Sequence, residues 1–558
     1  MARNRICDLL AAALLVLSIA AVSTAASAQT FSVLYNFGSN SGDPYLPLNS
    51  GIVAQGRDGN LYSGAQGGTD GYGAIFQITP AGALNVLYSF TDGDDGGHPY
   101  GGLTLGTDGN FYGTTQEGGT PNYGTIFNIT PSGSLATLYT FTGGNDGGAP
   151  YAPPVEGTDG NFYGTTSEGG AAFLGTVYKI TPAGKFTLLY QFDGSHGGAP
   201  DAPLVQGTDG NFYGTTPHFG TNNLGVVFKI TPAGKPTVLY EFDGAHGGNP
   251  NGGLVQGTDG NFYGTTLTGG SNGAGVVFRM TPSGKLAVLH NMGGTDGGLP
   301  YAGLLQGSDG NFYGANAFGG SSSNCSSGCG TIFKITPKGK FPFEVLHNFD
   351  LTSGATPYDT PLQHTNGIVY GDTNVGGTGN VPPCSAGTCG VFYNWSDSLP
   401  TFISLLPSSG KVGKMIGILG QGFSRSSVVK FDGVQATSVK NTGTTFLSAT
   451  VPPGALTGSV TVTTGSTTLT SNKTFRVTPQ ILSFSPSSGK VGTPVMINGV
   501  SLTQTSKVTF GGVKATSFTV NSDIQVTATV PTGAITGRIA ITTQGGVATS
   551  PGVFTVTQ

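Results

Sequence analysis

The sequence predicts an all-β chain: a seven-bladed β-propeller whose last blade is closed by the N-terminal strand, then two tandem β-sandwiches. Three observations predict it. The ten residues GTDGNFYGTT recur unchanged at 106–115, 157–166, 207–216 and 257–266. The runs between these copies are short, β-branched and aromatic, and broken by Asp-Gly and Pro-x-Gly turns. The motif PSSGKVG stands at 407–413 and again at 486–492. Composition agrees: 558 residues imply several domains, and 9% charged with 10% aromatic residues suits packed, turn-rich β structure better than disorder.

The N-terminus reads as a secretory signal. Arg3 and Arg5 give the positive end, Leu9 to Val22 is apolar but short for a bilayer span, and Ala26-Ser27-Ala28 is a cleavage pattern. Residues 1–28 are therefore expected to leave, with cleavage after Ala28, taking Cys7 with them. No later run is long and apolar enough to span a membrane. A net charge of −5 without a Lys/Arg cluster argues against nucleic acid or an anionic membrane surface as partner. The expectation is a secreted or cell-surface-associated monomer.

Residues 29–398 form the propeller. The element DGN-x-Y begins at Asp58, Asp108, Asp159, Asp209, Asp259 and Asp309, with a degraded copy, NGIVYG, at Asn366. A period near fifty is that of a propeller or solenoid. One period holds four strand-like runs: Gly253–Gln256, Asn261–Thr266, Gly275–Met280 and Leu286–Met292. Four strands in an antiparallel meander make a propeller blade. In the repeated motif, Asp-Gly supplies a tight turn and the Phe-Tyr pair sends one ring toward each neighbouring blade. A fourth-strand run, FSVLYNF (31–37), precedes the first repeat, and none follows the last third strand, Gly390–Trp395. The N-terminal strand is expected to complete that final blade.

Four cysteines remain after export: Cys325, Cys329, Cys384 and Cys389. Each close pair immediately precedes the same kind of strand, so the pairs Cys325–Cys329 and Cys384–Cys389 are expected, each closing a short loop. Export favours oxidation over a four-thiolate zinc site.

After Trp395 the texture changes. FDGVQAT (431–437) and FGGVKAT (510–516) keep the offset of PSSGKVG, as do Val451-Pro452 and Val530-Pro531. Two sandwiches are expected over 399–478 and 479–558, built from alternating Val/Thr runs.

On these residues two resemblances rest. The C-terminal pair, with P-x-x-G-x-x-G and F-G-G-V-x-A-T, resembles IPT/TIG immunoglobulin-like domains, which implies spacer or adhesion modules. The repeat, DGNFYGTT…GTVFKITPAG…LY-F, resembles the choice-of-anchor tandem-repeat (GloVer) family of exported bacterial proteins over about 31–395. That implies a surface protein; the end PGVFTVTQ departs from the family's anchoring tail. A weaker similarity, through DGN and ITP-x-G, is to antibiotic-lyase propellers, whose catalytic His/Glu set has no counterpart to carry over.

The turns between first and second and between third and fourth strands are tight, so the variable loops collect on the other face, where binding is expected. One position of the second-to-third loop reads Gln66, Glu117, Glu168, His218, Thr268, Phe318, Val375. Carboxylate, carboxylate and imidazole are groups of general acid–base work. The residue after Pro in the inter-blade loop reads Tyr45, Tyr100, Tyr151, Asp201, Asn251, Tyr301, Tyr358, and is expected to ring the channel mouth. Aromatics beside Asp and Asn suit sugar stacking and hydroxyl bonding. The expected ligand site is Tyr151, Asp201, Asn251, Glu168 and His218. No cofactor or metal is expected; the Asp-Gly loops 92–97 and 143–148 offer carboxylates to Ca²⁺ but lack an EF-hand's spaced ligands. The leading expectation is a non-enzymatic binding or adhesion protein, its partner a polysaccharide or cell-surface ligand. The alternative is a carbohydrate-active lyase or hydrolase using Glu117, Glu168 and His218.

Overall fold

The computed structural model describes residues 29–47, 53–337, 343–385 and 387–558; the expected signal peptide, residues 1–28, lies outside them. The described chain is all-β apart from one 3-10 turn, Gly294–Asp296. Between Thr30 and Ser396 the strands form seven sheets. In one, Val255–Gln256, Phe262–Thr266, Val276–Met280 and Leu286–Asn291 pair in succession, each antiparallel to the last. The inner strand is shorter than the expected Gly253–Gln256 because Pro250 and Gly252-Gly253 precede it; proline has no donor and glycine no side chain to pack.

The motif's chemistry explains its repetition. Gly260 sits at φ +82° in the turn, a conformation other residues rarely adopt. Asp259 accepts from the Asn261 backbone N–H and side-chain amide, at 3.0 and 2.7 Å, and from the Tyr263 hydroxyl at 2.8 Å. The same network is built on Asp58, Asp108, Asp159, Asp209 and Asp309. Five of the six tyrosines then stack on the phenylalanine of the next repeat: Tyr62 on Phe111 (4.1 Å), Tyr112 on Phe162 (3.7 Å), Tyr163 on Phe212 (3.9 Å), Tyr213 on Phe262 (4.0 Å) and Tyr263 on Phe312 (3.9 Å). In the degraded last copy Val369 stands at the phenylalanine position, and Tyr313 meets Trp395 instead. A conformationally locked turn thus places both a satisfied hydroxyl and an inter-sheet wedge.

Packing between sheets runs in a cycle. Neighbouring sheets share apolar clusters along the chain. A further cluster joins the first repeat (Leu61, Phe76, Ile78) to the last (Tyr370, Phe392). The N-terminal strand Thr30–Asn36 pairs antiparallel with Val391–Ser396, Phe31 opposite Trp395, so the last sheet takes its outer strand from the chain's beginning. Both expected disulfides are formed, Cys325–Cys329 with Cα atoms 5.2 Å apart and Cys384–Cys389 at 5.7 Å.

The two sandwiches have separate cores, with Phe431 against Phe475 in the first and Phe510 against Phe554 in the second. The first docks on the tight-turn face of the repeats. The Arg57 guanidinium lies 4.5 Å from the Phe446 ring centre, and Thr445 donates to the Arg57 carbonyl at 2.7 Å. Gln421 donates to Thr365 at 2.9 Å, and Arg476 to the Thr208 carbonyl. Arg57, Thr208 and Thr365 belong to first-to-second-strand turns of three different repeats, so one sandwich spans that face.

Candidate functional site

With the tight-turn face engaged, the long-loop face is the open one. Register fixes its geometry. The second-to-third loop of each repeat pairs with the preceding inter-repeat loop: Gly97 with Glu117, Gly148 with Glu168, Gly198 with His218, Gly248 with Thr268. These equivalent pairings, with Gly298–Phe318 and Ala355–Val375, place Glu117, Glu168, His218, Thr268, Phe318 and Val375 at one position in six repeats. Gln66 does not belong to that series: the first loop is one residue shorter, and Gln66 pairs with Tyr45 and bonds Tyr100 as Gln116 bonds Tyr151.

The residues after Pro are half-buried and neighbour one another between successive repeats. Tyr301 and Tyr358 meet edge to face at 4.8 Å. Tyr100 accepts from the Gln66 amide at 2.8 Å, and Tyr151 accepts from Gln116. Burial first, then the nearby Asp201, Glu168, Tyr100 and Glu117, push the Tyr151 phenol up to about 12. Tyr151, Asp201, Glu168 and Glu117 are therefore in one electrostatic neighbourhood. Burial alone pushes the Asp201 carboxyl up to about 7, and no hydrogen-bond donor among the described residues offsets it.

The remaining expected residues are less engaged. The His218 imidazole and the Asn251 amide form no hydrogen bond or ion pair among the described residues; His218 contributes its carbonyl, which accepts from Thr216 at 3.2 Å. Glu168 and His218 are exposed, while Asn251 is half-buried.

Other side chains on this face escaped the sequence reading. The exposed aromatics among the described residues are Tyr72 (40%), Tyr123 (39%) and Phe173 (76%), all just before the third strand in the first three repeats. Tyr72 and Tyr123 occupy the position that Cys329 and Cys389 take in the last two repeats, immediately before a glycine. The signal was there: an aromatic in an otherwise Gly-, Asn- and Thr-rich loop. His98 is the second omission. Its Nε2 lies 3.7 Å from Glu117, its Nδ1 lies 3.2 Å from the Tyr100 hydroxyl, and its ring meets Tyr72 edge-on at 6.2 Å.

The Asp-Gly loops are hydrogen-bonded turns. Asp95 accepts from Thr91 N–H (2.9 Å), Thr91 Oγ1 (2.6 Å) and the Tyr88 hydroxyl (3.1 Å); Asp146 repeats this with Thr142 and Tyr139. At the equivalent position His196 pairs with Tyr190 at 3.0 Å, and Asp296 with His290 at 3.0 Å. Among the described residues, no group of three or more His, Cys, Asp or Glu is placed to hold a metal.

The family model of the Gloeobacter/Verrucomicrobia repeat matches residues 20–172 and 152–382, well over half of the chain. The chain belongs to this family. Its Gloeobacter/Verrucomicrobia repeats are followed by two IPT/TIG domains, matched over 400–477 and 479–556. No curated protein matches the chain. Solved structures similar to it include the surface glycan-binding protein SGBP-B of Bacteroides uniformis (25% identity, 28% of this chain and 48% of that one, TM-score 0.14). Another is the surface glycan-binding protein of Prevotella bryantii (19%, 26% and 38%, TM-score 0.21). A fungal alcohol oxidase in complex with copper is similar across 93% of this chain and 100% of its own, at 14% identity and TM-score 0.39. The chain spans about half or less of the two glycan-binding proteins' lengths. At these scores the likenesses carry no functional argument. No helix among the described residues is long and apolar enough to cross a membrane.

Proposed function

We propose that this protein is an exported surface-binding protein whose repeats form a closed seven-bladed ring over residues 29–398. The ring presents its long-loop face to a glycan, and the sandwiches at 399–478 and 479–558 act as its stalk. The observation that carries this reading is the asymmetry of the two faces: one is engaged by the first sandwich, while the other holds Tyr72, Tyr123 and Phe173 exposed. Sugar rings present C–H faces that stack on aromatics and hydroxyls that bond to carboxylates and amides. Tyr151, Asp201 and Glu168 supply such groups at the ring mouth, and Asn251 and His218 lie in the adjoining sector. Two disulfides and a signal peptide at 1–28 suit an oxidising, extracellular setting.

The second reading, glycoside cleavage, is favoured by one observation: Glu117 and Glu168 both act on the same Tyr151 phenol. Glycan-array binding by the mature chain, combined with turnover assays on each bound glycan, tests the choice. Binding without turnover is expected. Failure to bind any glycan overturns the glycan assignment, and turnover abolished by Glu117→Gln or Glu168→Gln overturns the non-enzymatic one.

A further inference from the structure

A cavity lies where the sandwiches meet the first strands and tight turns of the repeats. Its volume is about 640 Å³, within the range of roughly 300–1,000 Å³ usual for small-molecule sites. Leu204, Val205, Leu254, Val255 and Leu304 form apolar wall, and Lys473 and Arg476 enter from the sandwich.

Most polar wall groups are already satisfied. Gln206 accepts from Thr158 N–H at 2.9 Å and donates to the Gly210 carbonyl at 3.1 Å. Gln256 and Gln306 repeat that bridge between turns. Asp259 is engaged by Asn261 and Tyr263, and Arg476 donates to Thr208. Lys473 is the exception. Its ammonium forms no hydrogen bond or ion pair among the described residues. The residue is exposed and lines the cavity, where desolvation lowers its pKa and no carboxylate raises it. Its ammonium is thus unpaired beside the apolar wall and open to an anion held there. The sandwich itself does not require it: the offset of 79 residues between PSSGKVG copies places Gly552 at the equivalent position of the second domain.

We propose that this cavity binds a small amphipathic organic anion, its carboxylate paired with the Lys473 ammonium and its apolar body against Leu204, Val205, Leu254 and Val255. The site is separate from the long-loop face, and its occupancy is independent of glycan binding there.

Calorimetric titration of the full mature chain with octanoate, and with neutral octanamide, tests it. Octanoate is expected to bind, Lys473→Met to weaken it at least tenfold, Lys473→Arg to restore most of the loss, and octanamide to be indifferent to both changes. In the unsubstituted chain the Lys473 pKa, read from its 13Cε NMR shift, should rise when octanoate is added. Absence of octanoate binding, equal binding by Lys473→Met, or an unmoved Lys473 pKa would each overturn the proposal.

Discussion

Replacing Asp201 by Asn removes a carboxyl group that the fold holds neutral through most of the acidic range. Its folded pKa is about 7 against an ordinary 3.8, a difference that amounts to roughly 4 kcal/mol between its protonation states. The cause is burial with no donor to stabilise the anion. The folded value lies above the unfolded one, so the folded chain holds a proton the unfolded chain has lost. Stability from this group is therefore full below about pH 4, falls as pH rises, and is lost above about pH 7. Asp201→Asn should match the parent chain near pH 4 and exceed it progressively, by up to roughly 4 kcal/mol, above pH 7. Paired urea unfolding curves from pH 4 to 8, followed by fluorescence, measure the difference directly. A difference that does not change with pH would refute the reasoning, because it would mean Asp201 ionises in the folded state as freely as in the unfolded one.

Three further outcomes are expected. Deleting residues 30–36 strips the last sheet of its outer strand and exposes the edge of Val391–Ser396, so light scattering should reveal aggregation; a monodisperse variant of unchanged melting temperature would contradict the closure. Replacing Cys325 and Cys329 together by Ser should cost only roughly 2 kcal/mol, because so short a loop removes little unfolded-state entropy, and denaturant titration under non-reducing conditions checks it. Asp372 is buried, and burial followed by the adjacent Asp359 holds its pKa well above the carboxylate range. Its contribution is thus lost as pH rises, and Asp372→Asn should flatten part of the decline in melting temperature toward neutral pH, as calorimetric scans would register.

Repetition made the fold legible. Six near-identical DGN-x-Y copies announced the turn and the paired rings, and the extra run at 31–37 announced which strand completes the last sheet. Within the motif, however, the bond from Tyr263 to Asp259 lay hidden, because a turn aspartate reads alike whether or not a hydroxyl four residues on reaches back to it. Tyr151 and Asp201 were visible in one column of unlike residues on a constant background, the residue after Pro, and Glu168 in a second, in the loop between second and third strands. Tyr72, Tyr123 and Phe173 were missed because each stands alone among Gly, Asn and Thr in a loop that reads as turn, with nothing in the sequence to say that its ring stays exposed. The docking of the first sandwich left no periodic trace at all. It depends on single contacts, Arg57 on Phe446 and Arg476 on Thr208, between segments hundreds of residues apart.

The claim that binding belongs to the long-loop face is tested most directly by calorimetry of one array-selected glycan against three variants. Tyr151→Ala and Phe173→Ala should each weaken binding by roughly 1–3 kcal/mol, as loss of an aromatic anchor does. Lys185→Ala, in a tight turn on the opposite face, should leave the affinity unchanged. Normal binding by both aromatic variants, with binding abolished by a still-folded Lys185→Ala, would contradict the assignment of the face.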